Sequence, residues 1–280
     1  MTALEALCNA KKTVNSALDA ELLLCAVLGI SRSELLAAPK TEIPSKILNR
    51  YNKALEKRKQ GFCVAAITGN KQFRFLDLAV NRHVFIPRPD TETLVEAALF
   101  WLNSASIENP KALDLCTGTG AIALALLDET QTLAMTAVDI SRHALLISRK
   151  NYAMLCKKRA SLKGKFRLLK SDLFSKVSGL YNLITANPPY VPCAEIETLA
   201  PEVKNEPRLA LDGGADGLSL IRRICKQAPS YLSPGGAIFI EAAPGQMRQI
   251  AALLEEASLC IIDIYSDLAG NQRVIGAKKN

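Results

Sequence analysis

Two short stretches of this 280-residue chain carry side chains whose types and spacing suit chemistry. The first is Asn187-Pro188-Pro189-Tyr190. Consecutive prolines fix the backbone and remove two donors, so the segment is a rigid loop whose carbonyls are free to accept. A side-chain amide oxygen beside a free carbonyl suits an NH₂ group, which has two hydrogens to donate. The nitrogen of a planar amide or aromatic amine is a poor nucleophile, because its lone pair is delocalised. With Asn187 and the Pro188 carbonyl accepting both hydrogens, the bonds strengthen as the nitrogen gains positive charge during alkylation. Tyr190 packs on the planar group, and no general base is needed before transfer.

The second stretch is Leu113-Asp114-Leu115-Cys116-Thr117-Gly118-Thr119-Gly120, a strand that runs into a glycine turn and opens a helix at Ala121. Such a turn brings backbone N–H groups close to a ligand at the helix N-terminus. Asp139 ends the next strand 19 residues after Gly120, the place from which a carboxylate accepts from ribose hydroxyls. Together these indicate a nucleoside cofactor. The turn has G-x-G and not G-x-G-x-x-G, which argues against a pyrophosphate and thus against NAD. Asp114, two residues before the turn, suits the cationic methionine end of S-adenosyl-L-methionine. Asp172, in Ser171-Asp172-Leu173 after the third strand, falls near the adenine edge.

The elements that position these residues follow from periodicity. Residues 1–71 read as helices: Ala20 to Leu28 ended by Gly29, a Ser31/Glu34 capping box, and a helix with Pro44 in its first turn. Residues 72–89 alternate at Phe73-Arg74-Phe75 and at Val80, Arg82 and Val84, which predicts a hairpin-like connector. Residues 90–280 alternate strand and helix. Strands are expected at 112–115, 133–140, 166–169, 181–186, 237–241, 260–265 and 273–277. That pattern is an α/β class with a mainly parallel sheet covered on both faces.

Composition narrows the classes. At 49% hydrophobic and 22% charged the chain is globular and not disordered. Its eight cysteines form no C-x-x-C pair and it has two histidines, so no zinc framework exists and the cysteines read as reduced thiols. No signal peptide and no membrane span are predicted, and a cytoplasmic protein is expected. The net charge of +8 is local: nine cations and no acid lie between Arg149 and Lys170, and the remainder sums to −1. That patch reads as a solvated helix face and loop, with no run of aromatics interleaved to stack bases as a single-strand binder would have.

These residues together resemble the HemK/PrmC family, methyltransferases of the glutamine in the Gly-Gly-Gln loop of peptide chain release factors. The resemblance rests on Phe85-Ile86-Pro87-Arg88-Pro89-Asp90-Thr91-Glu92, the glycine turn, the Asn-Pro-Pro-Tyr quartet and Asp267-Leu268-Ala269-Gly270-Asn271-Gln272-Arg273-Val274. Glu206-Pro207, Gly213-Gly214 and Glu241 also match. The resemblance spans nearly the whole chain. It implies a Rossmann-like S-adenosylmethionine-dependent methyltransferase domain with a small N-terminal helical domain that docks the release factor. It assigns Cys116, Thr117, Gly118, Thr119, Gly120, Asp139, Asp172, Leu173 and Asn187 to the cofactor, and Asn187, Pro188, Pro189 and Tyr190 to catalysis. Cys116 stands where the family usually has glycine, and Leu173 where relatives often have an aromatic. A monomer without direct nucleic-acid binding is expected. The competing readings are an adenine-N6 nucleic-acid methyltransferase, and a binding protein that kept the fold without the cofactor.

Overall fold

The computed structural model describes residues 1–130 and 132–280. The chain divides into two compact units: residues 1–70, 80–82 and 199–205, and residues 71–79, 83–198 and 206–280.

The first unit is helical. It holds α1 (Ala3–Ala10), α2 (Ala17–Leu28), α3 (Arg32–Ala37), α4 (Ser45–Lys59) and α5 (Val64–Thr68). Leu23, Leu24, Leu35, Ile43 and Tyr51 form its core, and the Tyr51 hydroxyl donates to the Ala20 carbonyl at 3.0 Å. Gly29 ends α2 in the left-handed conformation that glycine tolerates without cost. Ser31 and Glu34 form the expected capping box on α3. Pro44 stands at the N-cap of α4, one residue ahead of the expected turn. Arg58 pairs with Asp19 at 2.6 Å and with Glu202 at 2.7 Å, tying residues 199–205 into this unit.

A two-stranded sheet follows, β1 (Asn70–Phe73) and β2 (Leu76–Ala79). Val80, Arg82 and Val84 alternate in sequence but lie outside any strand, contrary to expectation. The last bond of the pair is the Val80 N–H to the Gly69 carbonyl at 3.1 Å, and pairing stops there because Gly69 closes α5 and leaves no strand residue opposite. The Asn151 side chain anchors β2, accepting from the Ala79 N–H at 2.7 Å and donating to its carbonyl at 3.0 Å.

The second unit continues with α6 (Glu92–Ala105), β3 (Lys111–Leu115), α7 (Ala121–Glu129), β4 (Ala134–Asp139), α8 (Arg142–Lys158), β5 (Phe166–Lys170) and β6 (Tyr181–Ala186). After α9 (Pro201–Lys204), which belongs to the first unit, come α10 (Ser219–Gln227), β7 (Leu232–Glu241), α11 (Met247–Glu256), β8 (Leu259–Ser266) and β9 (Gln272–Lys279). The sheet order is β5-β4-β3-β6-β7-β9-β8, parallel from β5 to β7, with β9 antiparallel to both neighbours.

Strand residues alternate between two cores because successive side chains point to opposite faces. Ala112, Met135, Leu183 and Phe239 pack with α6 and α7. Leu113, Leu115, Val138, Ile184 and Ile240 pack with α10 and α11. Residues 121–127 of α7 are all buried, which explains a helix with apolar residues on every side.

Candidate active site

Register sets the level of the site. Leu115 pairs with both Val138 and Ala186, Ala186 pairs with Ile240, and Asp139 pairs with Lys170. Cys116, Asp139, Asn187 and Glu241 therefore emerge at one edge of the sheet, with Ser171 and Asp172 just beyond β5. The chain runs outward from β3 to β5 and returns on the other side of β3 as β6. Ligands of open α/β sheets bind outside the strands' carboxyl ends at such a switch point.

The glycine turn is built for a ligand. Gly118 and Gly120 have φ of +56° and +82°. A Cβ on Gly118 would meet no atom closer than 4.0 Å, so the turn is open there; one on Gly120 would lie 2.6 Å from Ser148 Oγ. Asp139 shapes the turn, its Oδ2 accepting from the Gly118 N–H and its Oδ1 from the Ser141 N–H, both at 2.8 Å. Burial raises the Asp139 pKa despite those bonds. The Asn151 amide donates to the Thr119 carbonyl at 2.9 Å, so one buried side chain holds both β2 and the turn. No side chain caps α7.

Asp114 is fully buried. Its Oδ1 accepts from the Thr185 hydroxyl at 2.7 Å; the Thr117 hydroxyl lies beside the carboxylate and helps hold its pKa down, yet neither Thr117 Oγ1 nor Asp114 Oδ2 makes a close hydrogen bond. Burial pushes the Asp114 pKa up to about 7. A buried carboxylate oxygen without a partner is costly unless a ligand completes it. The open turn, the uncapped helix and these orphaned oxygens fit a cofactor with ribose hydroxyls and a cationic end, such as S-adenosylmethionine.

Cys116 occupies the turn with φ +57°. Burial, with Asp139, Asp114 and Asp172 nearby, raises its thiol pKa and keeps it protonated. The structure thus gathers the predicted acids around Cys116. Asp172 is half-exposed and already accepts from Arg223 at 2.8 Å. Leu173 has φ +45° and is buried in the apolar layer beneath α10 and α11.

On the other side of β3, Pro188 and Pro189 are buried and Asn187 and Tyr190 are partly exposed. The Asn187 Nδ2 donates to the Thr91 Oγ1 at 3.3 Å. Gln246 Nε2 donates to the Tyr190 carbonyl at 3.0 Å. A Cβ on Gly217 would lie 2.2 Å from that carbonyl oxygen. Glu206 accepts from the Ile86 N–H at 3.2 Å and pairs with Arg88, pinning the 85–92 segment. Arg273 pairs with Asp90 and Asp267, each at 2.9 Å.

Sequence reasoning gave no role to Asn151, Thr91, Gly217 or Gln246. Thr91 lies inside a quoted motif, and Asn151 was visible as an amide within a helix pattern; Gly217 and Gln246 carry no local signal. The basic residues from Arg149 to Lys170 lie on α8, β5 and the turn between them. Lys158 pairs with Asp77 at 3.3 Å and Arg159 with Asp128.

Residues 2–69 match the PrmC N-terminal domain and residues 95–206 the methyltransferase small domain. A release factor glutamine methyltransferase of Agrobacterium fabrum is 36% identical over 260 residues, covering 92% of this chain and 88% of that protein. The chain belongs to the release factor glutamine methyltransferase family. Members from Rhodospirillum rubrum (37% identity, 93% of this chain, 78% of that one) and Deinococcus radiodurans (36%, 93% and 90%) are similarly close. Solved structures with the same fold include a methyltransferase from Pyrococcus furiosus, with TM-score 0.53, 16% identity, and coverage of 85% of this chain and 100% of that one. Another is a 16S rRNA methyltransferase from Thermus thermophilus in complex with AdoMet and guanosine (TM-score 0.52, 19% identity, 75% and 50% coverage). As a release factor glutamine methyltransferase family member, the chain is an enzyme with the Rossmann-like fold and helical N-terminal region expected from its sequence. Among the described residues no helix is long and apolar enough to cross a membrane.

Proposed function

We propose that this protein transfers a methyl group from S-adenosyl-L-methionine to the side-chain amide nitrogen of the Gly-Gly-Gln glutamine of peptide chain release factors. The observation that carries the reading is the shared level of Cys116, Asp139 and Asn187 at the switch point, which puts an amide-accepting loop beside a nucleoside cradle. Asp139 would accept from the ribose hydroxyls, and Asp114, with Thr117 beside it, would face the cationic end. Thr117 to Gly120 line the cofactor with backbone, while Asp172 and Leu173 bound its adenine side. When bound, the cofactor supplies an electrophilic methyl group on a sulfonium.

The rest is done by the chain. Asn187 Oδ1 and the Pro188 carbonyl accept the two amide hydrogens, and Tyr190 packs against the amide plane. Pro188 and Pro189 hold the loop rigid, so both acceptors stand in place before the nitrogen gains charge. The proton is lost from the alkylated nitrogen after transfer. The helical unit docks the release factor. A monomer acting in the cytoplasm, where release factors work, completes the reading. Two of the clustered cations are ion-paired, and the two aromatics among them, Tyr152 and Phe166, pack on each other, which supports a protein rather than a nucleic-acid substrate.

The test is transfer of labelled methyl to a purified release factor and to a version whose Gly-Gly-Gln glutamine is replaced. Label is expected on the first alone. Asn187→Ala is expected to lower kcat by about 10²- to 10³-fold with cofactor binding retained in calorimetry. Label on neither protein with cofactor bound would overturn the substrate.

A further inference from the structure

Catalysis by an asparagine amide poses an orientation problem. The carboxamide has an oxygen at one end and an NH₂ at the other, and both fit the same space. Only the rotamer with Oδ1 toward the substrate accepts from an amide NH₂. The reversed one presents donors to donors. A weak polar partner does not decide the matter, because a hydroxyl such as that of Thr91 both donates and accepts.

Glu241 ends β7 directly beside Asn187, since Ala186 and Ile240 are register partners. It is 2% exposed, and its carboxylate is held down by both the Thr91 hydroxyl and the Asn187 amide, while Oε2 has no partner. An ionised carboxylate only accepts. A hydroxyl beside such a carboxylate turns its hydrogen toward it, and the Thr91 oxygen is then left to accept from Asn187 Nδ2 at 3.3 Å.

We propose that Glu241, with Thr91 as its relay, is the positioning residue that fixes which face of the Asn187 amide meets the substrate. The inference rests on the methyl-transfer reading for its kinetic consequence, though not for the geometry. Asp90, Arg273 and Tyr190 are the other titratable groups near Glu241, with Arg88 beyond Tyr190. Burial carries the Glu241 pKa to about 7 against the pull of Thr91, Arg273 and Asn187. Protonation gives Glu241 a donor and removes the polarity of the chain, so kcat at saturating cofactor and release factor rises through neutral pH.

The experiment compares the full-length wild type with Glu241→Gln, Thr91→Val and Thr91→Ser. Glu241→Gln keeps the volume but adds an NH₂ that tolerates either Asn187 rotamer. It is expected to lower kcat by roughly 10- to 100-fold, with KM and cofactor binding little changed, and to abolish the acid limb. Thr91→Val is expected to behave likewise, and Thr91→Ser to recover most of the loss. Nuclear magnetic resonance of the Asn187 side-chain amide gives a readout without turnover: slow hydrogen exchange in the wild type, fast exchange in Glu241→Gln. A folded Glu241→Gln with wild-type kcat, an intact acid limb or a protected Asn187 amide would overturn the proposal. Absence of methyl transfer by the wild type would instead overturn the substrate reading, and the exchange measurement would still decide the orientation.

Discussion

The residues of this site are held in states that an isolated side chain avoids. Asp114 and Glu241 are buried carboxylates, each with one oxygen that makes no close hydrogen bond. Cys116 is a non-glycine residue in the left-handed region. That conformation costs a non-glycine residue roughly 1 kcal/mol or more. The open turn beside it has room for a ligand but not a reason for a thiol. Cys116→Gly is therefore expected to fold at least as well and to keep or tighten the cofactor Kd, measured by calorimetric titration. A tenfold loss would show that the Cys116 side chain itself touches the cofactor.

At the scale of elements, parallel register converts distant sequence into a common edge. The Asn-Pro-Pro-Tyr loop has few backbone bonds of its own, so its position depends on what lies behind it. Gln246 at the start of α11 donates to the Tyr190 carbonyl, and Gly217 lets the backbone before α10 approach that same oxygen. A Cβ at 2.2 Å from backbone oxygen cannot be absorbed by a side-chain shift. The φ of +77° adds strain. Gly217→Ala is expected to move the loop, lowering kcat/KM for the release factor by at least about tenfold. The cofactor Kd, set on the far side of β3, should change little. Equal loss of both would place the damage in the sheet and not in the loop.

For the molecule as a whole, the two buried carboxylates make stability and activity oppose each other across neutral pH. Asp114 and Glu241 have folded values near 7, above the roughly 3.9 and 4.3 of an unfolded chain. Between those limits the folded state binds more protons, so stability declines as pH rises from about 4 to about 7 and stays lower above. Without cofactor, the melting temperature is expected to be lower at pH 8 than at pH 6. Asp114→Asn is expected to raise it more at pH 8 than at pH 6, at about 2–4 °C per kcal/mol for a chain of this size, while weakening cofactor binding. An equal shift at both values would mean that Asp114 is already ionised in the folded protein at pH 6. Bound cofactor should narrow the pH difference, because it completes the Asp114 oxygen.

Local chemistry in the sequence determined much of this. The Ser31/Glu34 box, the Gly29 stop and the Gly118–Gly120 turn each depend on neighbouring residues, and the alternation of strand and helix was legible from period alone. Tyr181–Ala186 begins and ends where its pattern does. The anchoring of β2 was not legible, because the side chain that grips Ala79 is Asn151, 72 residues away. The same distance problem hid Gly217 and Gln246 behind Tyr190, and the meeting of Thr91, Asn187 and Glu241. Those three lie on different elements and become neighbours only when β6 and β7 pair in register. A motif states which groups are present; the fold alone decided which way each of them faces and which are left in want of a partner.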